Sequence, residues 1–219
     1  MNLEKKYLRN LDINGGLFFS KDKCLYGNCN DGKGKKIYFK NKKLIETYEG
    51  EFKNGRKNGK GKSVFSNNDI YDGEWKNNKF HGKGTFKWSN HVYEGDFIKG
   101  KKKGKGKYFW PNGNFYEGEF KNDKKKGKGK LVYKDGSFYE GDFKNDKKEG
   151  YGVFTWPWGH VYKGEFKNDK KQGKGKYYFI NGDVYDGDWE NDQPFPSENL
   201  LPSFDRLTYY IVNNIPFLK

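Results

Sequence analysis

A short signature, tyrosine, acid, glycine, acid and a large aromatic, returns along this chain at Tyr48 (YEGEF), Tyr71 (YDGEW), Tyr93 (YEGDF), Tyr116 (YEGEF), Tyr139 (YEGDF) and Tyr185 (YDGDW), with YKGEF at Tyr162. Successive tyrosines are 23, 22, 23, 23, 23 and 23 residues apart. A period in this range makes a single repeat the unit of structure, so the fold is expected to be an array in which each unit shelters its neighbours.

Composition agrees with an array. Only 32% of the 219 residues are hydrophobic while 19% are aromatic, so the apolar bulk is Tyr, Phe and Trp and an aliphatic core is scarce. High charge with low hydrophobicity would suit a disordered chain, but disordered chains are poor in regularly placed aromatics. No early stretch joins a basic start to an apolar run, and no run approaches the roughly 20 apolar residues a membrane-spanning helix needs, so a soluble intracellular chain is expected. Cys24 and Cys29 make neither a disulfide framework nor a good zinc site, and are expected to be reduced thiols of minor structural weight. The net charge of +15 raises anionic partners as a hypothesis and does not decide among them.

Within the unit Tyr116 to Phe138, alternation in a strand puts Tyr116, Gly118 and Phe120 on one face and Glu117 and Glu119 on the other. Lys121 to Lys126 carries Asn-Asp turn chemistry, and Gly127-Lys128-Gly129 opens a second strand, giving two strands per repeat. In that second strand Leu131 and Tyr133 share a face, as do Phe86 with Trp88, Tyr108 with Trp110, Phe154 with Trp156 and Tyr177 with Phe179; Ser63 with Phe65 is the weak member. Turns such as Pro111-Asn112-Gly113 join the repeats. A thinner apolar stripe is expected on the reverse face, where Ile70, Val92, Phe115, Phe138, Val161 and Val184 meet Val64, Phe109, Val132 and Val153. The signature glycines are expected to be packing glycines that leave room for a ring over bare backbone.

The segments YEGEFKNGRKNGKGK at 48–62 and YDGEWKNNKFHGKGTF at 71–86 resemble the MORN (membrane occupation and recognition nexus) repeat, over Tyr48 to about Asp192. The resemblance implies an all-β fold, an elongated, single-layer, twisted antiparallel sheet of stacked hairpins with an aromatic groove. It also implies scaffolding, self-association, partner-peptide binding and attachment to membrane or cytoskeleton. Four segments are expected: an N-terminal stretch 1–23 with a short helix, a degenerate repeat 24–47, the array 48–193, and a C-terminal segment 194–219 that caps the sheet or docks on a partner. A short helix is expected there from Phe204 to Asn213, with Ser203 as its cap.

Several motifs come close to chemistry without reaching it. Gly55 to Ser63 misses the phosphate-loop spacing by one residue and is followed by a strand. Asn10 to Lys21 begins like a calcium loop and lacks the closing glutamate. His81, His91 and His160 are expected to be exposed loop residues, and the acid pairs to form cross-strand ion pairs. No cofactor, no metal and no catalytic residue is expected. The expected activity is binding: Tyr48, Phe52, Tyr71, Trp75, Tyr93, Phe97, Tyr116, Phe120, Tyr139, Phe143, Tyr162, Phe166, Tyr185 and Trp189, with Trp88, Trp110 and Trp156 beside them, line a partly exposed groove for a helical or extended protein segment or for a second copy. The alternative is an anionic-lipid adaptor using a solvated ridge of Lys101, Lys102, Lys103, Lys124, Lys125, Lys126, Lys147, Lys148, Lys170 and Lys171. Nucleic acid is the least favoured partner, and a cytoplasmic, cytoskeletal or membrane-peripheral location follows.

Overall fold

The computed structural model describes residues 21–195. The expected N-terminal helix, all but the last residue of the calcium-loop-like stretch, and the tail helix lie outside them. Every described element is a strand. The strands are β1 (Lys23–Gly27), β2 (Gly32–Lys40), β3 (Lys43–Lys53), β4 (Arg56–Phe65), β5 (Ile70–Lys76), β6 (Lys79–Trp88), β7 (His91–Ile98) and β8 (Lys101–Phe109). They continue with β9 (Phe115–Lys121), β10 (Lys124–Val132), β11 (Phe138–Lys144), β12 (Lys147–Thr155), β13 (Val161–Lys167), β14 (Lys170–Tyr178), β15 (Val184–Glu190) and β16 (Gln193–Phe195). They pair in sequence order in an antiparallel sheet that is not closed into a barrel. The all-β hairpin array expected from the period is therefore the fold found. Two compact units divide it, the first holding residues up to Ser89 with Phe97–Gly100, the second Asn90–Asp96 and the residues from Lys101 onward.

The second unit shows the repeat most regularly. Strands β9 and β10 reverse at Asn122-Asp123, where Lys121 pairs with Lys124 and both turn residues have positive φ, 50° and 71°. This is the two-residue hairpin turn whose twist suits paired strands, and Asn and Asp tolerate its left-handed backbone better than most residues. Each turn is also clasped to the preceding hairpin: Asp146 donates its N–H to the Lys125 carbonyl (3.1 Å) and accepts the Lys125 N–H on Oδ1 (2.8 Å). Asp123 does the same with Lys102, Asp169 with Lys148 and Asp192 with Lys171. Repeats are joined by wider turns such as Tyr133 to Ser137, in which the Tyr133 N–H bonds the Ser137 carbonyl at 2.9 Å.

Between turn and glycines the ladder bulges. Lys125 faces Phe120 and Gly129 faces Gly118, so β10 carries two residues more than β9 over this stretch and Glu119 has no register partner in β10. The Tyr116 hydroxyl meets its carbonyl, donating to Glu119 O at 3.1 Å. To do so its ring lies flat over Gly118 and Gly129; a Cβ on Gly129 would sit 2.4 Å from the phenol oxygen. The glycine pair thus makes room for the tyrosine of its own repeat.

The reverse face carries the acids. Expected cross-strand ion pairs are present at Lys107–Glu117 (3.2 Å), Lys128–Asp142 (2.8 Å), Lys174–Asp188 (2.7 Å) and Lys176–Asp186 (2.7 Å). Its thin apolar stripe pairs Val64 with Ile70, Phe109 with Phe115 and Val132 with Phe138. Val153 departs from expectation: it faces Glu140 and Lys163, and Thr155 takes the place beside Phe138 and Val161, because the stripe lies one pair nearer the inter-repeat turn.

In the first unit β1 is short and Tyr26 is 54% exposed, unlike the signature tyrosines from Tyr48 to Tyr162. Cys24 and Cys29 form a disulfide, which corrects the expectation of free thiols. Left-handed backbone at Gly27 (φ 73°) curls the turn, bringing the two Cα atoms to 5.9 Å, within bridging range.

Candidate functional site

The aromatic face is built from consecutive repeats. Tyr116 meets its own Phe120 edge-on at 5.2 Å and the next repeat's Phe143 at 4.9 Å. Tyr139 repeats this with Phe143 and Phe166, and Tyr162 with Phe166 and Trp189. In the first unit Tyr48 touches Phe52 and Trp75, and Tyr71 touches Trp75 and Phe97. Such edge-to-face pairs add about 0.5–1.5 kcal/mol each beyond area burial. Where Trp replaces Phe it gains a hydrogen bond, Trp75 Nε1–H to Gly61 O (2.9 Å) and Trp189 Nε1–H to Gly175 O (3.1 Å).

This packing is tighter than expected. Tyr48, Tyr71, Tyr93, Tyr116, Tyr139 and Tyr162 have no exposed surface, and Phe52, Trp75, Phe97, Phe120, Phe143, Phe166 and Trp189 keep 3–5%. A single layer buries them because each tyrosine lies on backbone and is roofed by two neighbouring rings. Only Tyr185 remains half-buried. The rings open to solvent sit at the end of each second strand or one residue past it: Trp88, Trp110, Tyr133, Trp156 and Phe179 are half-buried.

The family model described as the MORN repeat matches residues 48–70, 71–91, 93–115, 116–138, 139–161, 162–184 and 185–194. The chain belongs to the MORN repeat family. MORN repeats are protein- and membrane-binding repeats. No curated protein matches the chain. Among solved structures it is similar to the TCP domain of SAS-4 (dCPAP) of Drosophila melanogaster in complex with a proline-rich motif of Ana2 (dSTIL), with 10% identity, 81% of this chain and 94% of that chain covered, and a TM-score of 0.46. It is also similar to the G-box domain of the microcephaly protein CPAP, with 10% identity, 77% and 99% covered, and a TM-score of 0.41.

The lysines of this MORN array are not one ridge. Lys101, Lys103, Lys124, Lys126, Lys147 and Lys170 are exposed, but Lys102, Lys125, Lys148 and Lys171 turn onto the aromatic face and are half-buried. The reason is register: across a two-residue turn Lys125 faces Phe120, and cross-strand partners point the same way. That even spacing from Gly129 was readable in the sequence and is the signal the ridge expectation overlooked. The Lys125 ammonium lies 5.5 Å from the Trp110 ring centre, 5.6 Å from Tyr116 and 5.2 Å from Phe143. Lys148 sits over Tyr139, Phe154 and Phe166, and Lys171 over Trp156, Tyr162, Tyr177 and, at 4.3 Å, Trp189. Burial among rings pushes all four lysines below their usual range, Lys171 to about 8.

Lys57 is the corresponding residue in the first unit, and there burial goes further, to 5% exposure. Its ammonium pairs with the Glu46 carboxylate over the Tyr38, Tyr48 and Trp75 rings, and Ser63 donates its hydroxyl to the same carboxylate. Ser63, anomalous in the aromatic pattern, is small because the carboxylate needs its space. Phe80 replaces the lysine in the next repeat and stacks on Tyr71 at 3.7 Å. All three histidines also correct expectation: His81 lies within β6 opposite Glu74 and is half-buried. His91 and His160 each precede a repeat tyrosine by two residues and face the rings, His91 Nδ1 lying 2.8 Å from the Tyr108 hydroxyl and His160 packing on Tyr177 and Phe179. Among the described residues no group of three or more His, Cys, Asp or Glu is placed to hold a metal.

Proposed function

We propose that this protein is a non-enzymatic scaffold whose aromatic face takes a segment of a partner protein, helical or extended, or the same surface of a second copy, in a cytoplasmic assembly attached to cytoskeleton or membrane. One observation carries the reading: in the second unit half-buried rings, the side chains enriched at protein interfaces, recur at every repeat with a half-buried lysine between them. The repeat tyrosines and their Phe or Trp partners act beneath it as the floor. The residues a partner touches are then Trp110, Tyr133, Trp156 and Phe179 with the intervening lysines. The lipid reading keeps the six exposed lysines and loses the four on the ring face.

The test is site-specific crosslinking in the cell of origin. A photoreactive phenylalanine analogue at Trp156, on the ring face, is expected to crosslink to a partner or a second copy, while the same analogue at Glu140, on the reverse face, is not. Crosslinks from position 140 alone would reject the ring face. Flotation with acidic phospholipid vesicles that vanishes steeply with salt, together with silence at position 156, would favour the lipid reading.

A further inference from the structure

We propose that the occupant of the second unit's ring face is an acidic protein segment whose carboxylates recur about every 10 Å, two strand spacings, and seat one per repeat against Lys125, Lys148 and Lys171. This rests on the ring face being the docking surface and adds the chemistry of what docks.

The chain contains a picture of the contact. At Lys57 an ammonium framed by three rings is met by the Glu46 carboxylate. In the second unit the frame is kept and, among the described residues, no carboxylate pairs with the ammonium groups of Lys125, Lys148 and Lys171. The positions equivalent to Glu46 are Asn114, Ser137 and His160. Asn114 accepts the Lys134 N–H, and Ser137 gives its hydroxyl to Asp135. His160 Nδ1 is buried without a hydrogen-bond partner among the described residues. The positions equivalent to Ser63 are Leu131, Phe154 and Tyr177, which fill the space from which an internal acid would approach. A carboxylate can therefore arrive only from the solvent side of these half-buried lysines.

The other nearby acids are the turn aspartates. Asp146 and Asp169 act on Lys125, Asp169 and Asp192 on Lys148, and Asp192 on Lys171. Asp146, Asp169 and Asp192 each spend Oδ1 on a lysine backbone N–H and form no ion pair with these ammonium groups. The row also repels itself, Lys125 depressing Lys148 and Lys148 depressing Lys171. Uncompensated cations at fixed intervals over rings are complementary to an acidic strip and suppress basic partners. A spacing of roughly 10 Å is met by every third residue of a polyproline II segment, at about 3.1 Å rise. It is also met by every seventh residue of a helix, at about 1.5 Å rise.

The probes are two fluorescein-labelled peptides, one with glutamate at every third position among prolines and one helical with glutamate at every seventh, each beside its glutamine counterpart. With the full chain, at least one glutamate peptide is expected to bind roughly tenfold or more tightly than its counterpart by anisotropy. Combining Lys125→Met, Lys148→Met and Lys171→Met should erase that preference, while Lys124→Met, Lys147→Met and Lys170→Met should leave it. A second measurement needs no variant: the side-chain carbon signal of Lys171 should titrate at higher pH with the glutamate peptide bound and stay put with glutamine. Equal binding of the paired peptides, equal loss in both variants, or an unmoved Lys171 titration overturns the proposal. Each of those outcomes leaves the crosslinking result at Trp156 to decide separately whether the ring face docks anything.

Discussion

At the scale of the residue, the repeat tyrosine closes two accounts at once, covering bare glycine backbone and bonding a carbonyl at the bulge. Tyr139→Phe keeps the ring and abandons the Asp142 carbonyl, now bonded at 3.0 Å, at a cost of about 1–3 kcal/mol. Gly152→Ala is expected to cost more, since its Cβ would lie 2.4 Å from the Tyr139 ring and the ring has no free side to move to. Urea unfolding of the two variants checks the order. The lysines and tyrosines also fix how stability depends on pH. The Lys171 ammonium titrates at about 8 in the fold and at 10.5 in a free chain, so between these values the unfolded state holds a proton that the folded state has released and stability rises with pH. Lys125 and Lys148, depressed for the same reason, add to that rise. Desolvation lifts the buried tyrosines well above 10.0, so above that pH the unfolded chain ionises first and stability falls. The urea midpoint should therefore climb from pH 8, peak near 10 and drop, and Lys171→Met should flatten the climb.

At the scale of the element, the hairpin turn does more than reverse the chain. Asp146 holds left-handed backbone at φ 74° and clasps Lys125 of the preceding hairpin through two hydrogen bonds. The chain itself offers variants of the position: Asn78 makes the same pair of bonds to Lys57, and Gly100 makes only the backbone one, to Phe80. From these, Asp146→Asn is expected to be nearly neutral. Asp146→Gly should lose one bond, about 0.5–1.5 kcal/mol, and Asp146→Ala should lose that bond and add roughly 1–2 kcal/mol of left-handed strain. Hydrogen exchange at the Lys125 amide, fastest in the alanine variant, reads the clasp directly. The Asn-Asp pair announced the turn because its chemistry is local. The clasp partner is 21 residues away, and only the stacking of one hairpin on the next shows which amide the carboxylate reaches.

At the scale of the whole molecule, a fold of like units in series predicts tolerance to losing one of them. Deleting residues 139–161 joins Phe138 to Tyr162 in the register they replace, and the product should keep an all-β circular dichroism spectrum with a smaller urea m-value. Deleting only 139–149 leaves an unmatched strand that reverses chain direction, and this product should fail to fold. Persistence of the second and loss of the first would contradict the repeat as the unit. The period of 23 and strict alternation of side chains were enough to read off the sheet, two strands per repeat, the ring face and the ion-paired reverse face, because both depend on residues a few positions apart. Most of what the sequence did not show is set by groups that folding, and not chain position, brings together. Each tyrosine is roofed by its own strand's aromatic and by the following hairpin's, so the rings proved buried where partial exposure was expected. Whether a ring-face lysine meets an acid depends on Glu46 and Ser63, 11 and 17 residues apart from their partners Lys57 and Glu46, and on the bulky residues that exclude such a pair elsewhere. The disulfide depends on one glycine's backbone angle. Sequence alone determined which residues share a face, since covalent geometry fixes that locally; tertiary structure decided which of them remain open to another molecule, since burial is a property of neighbours.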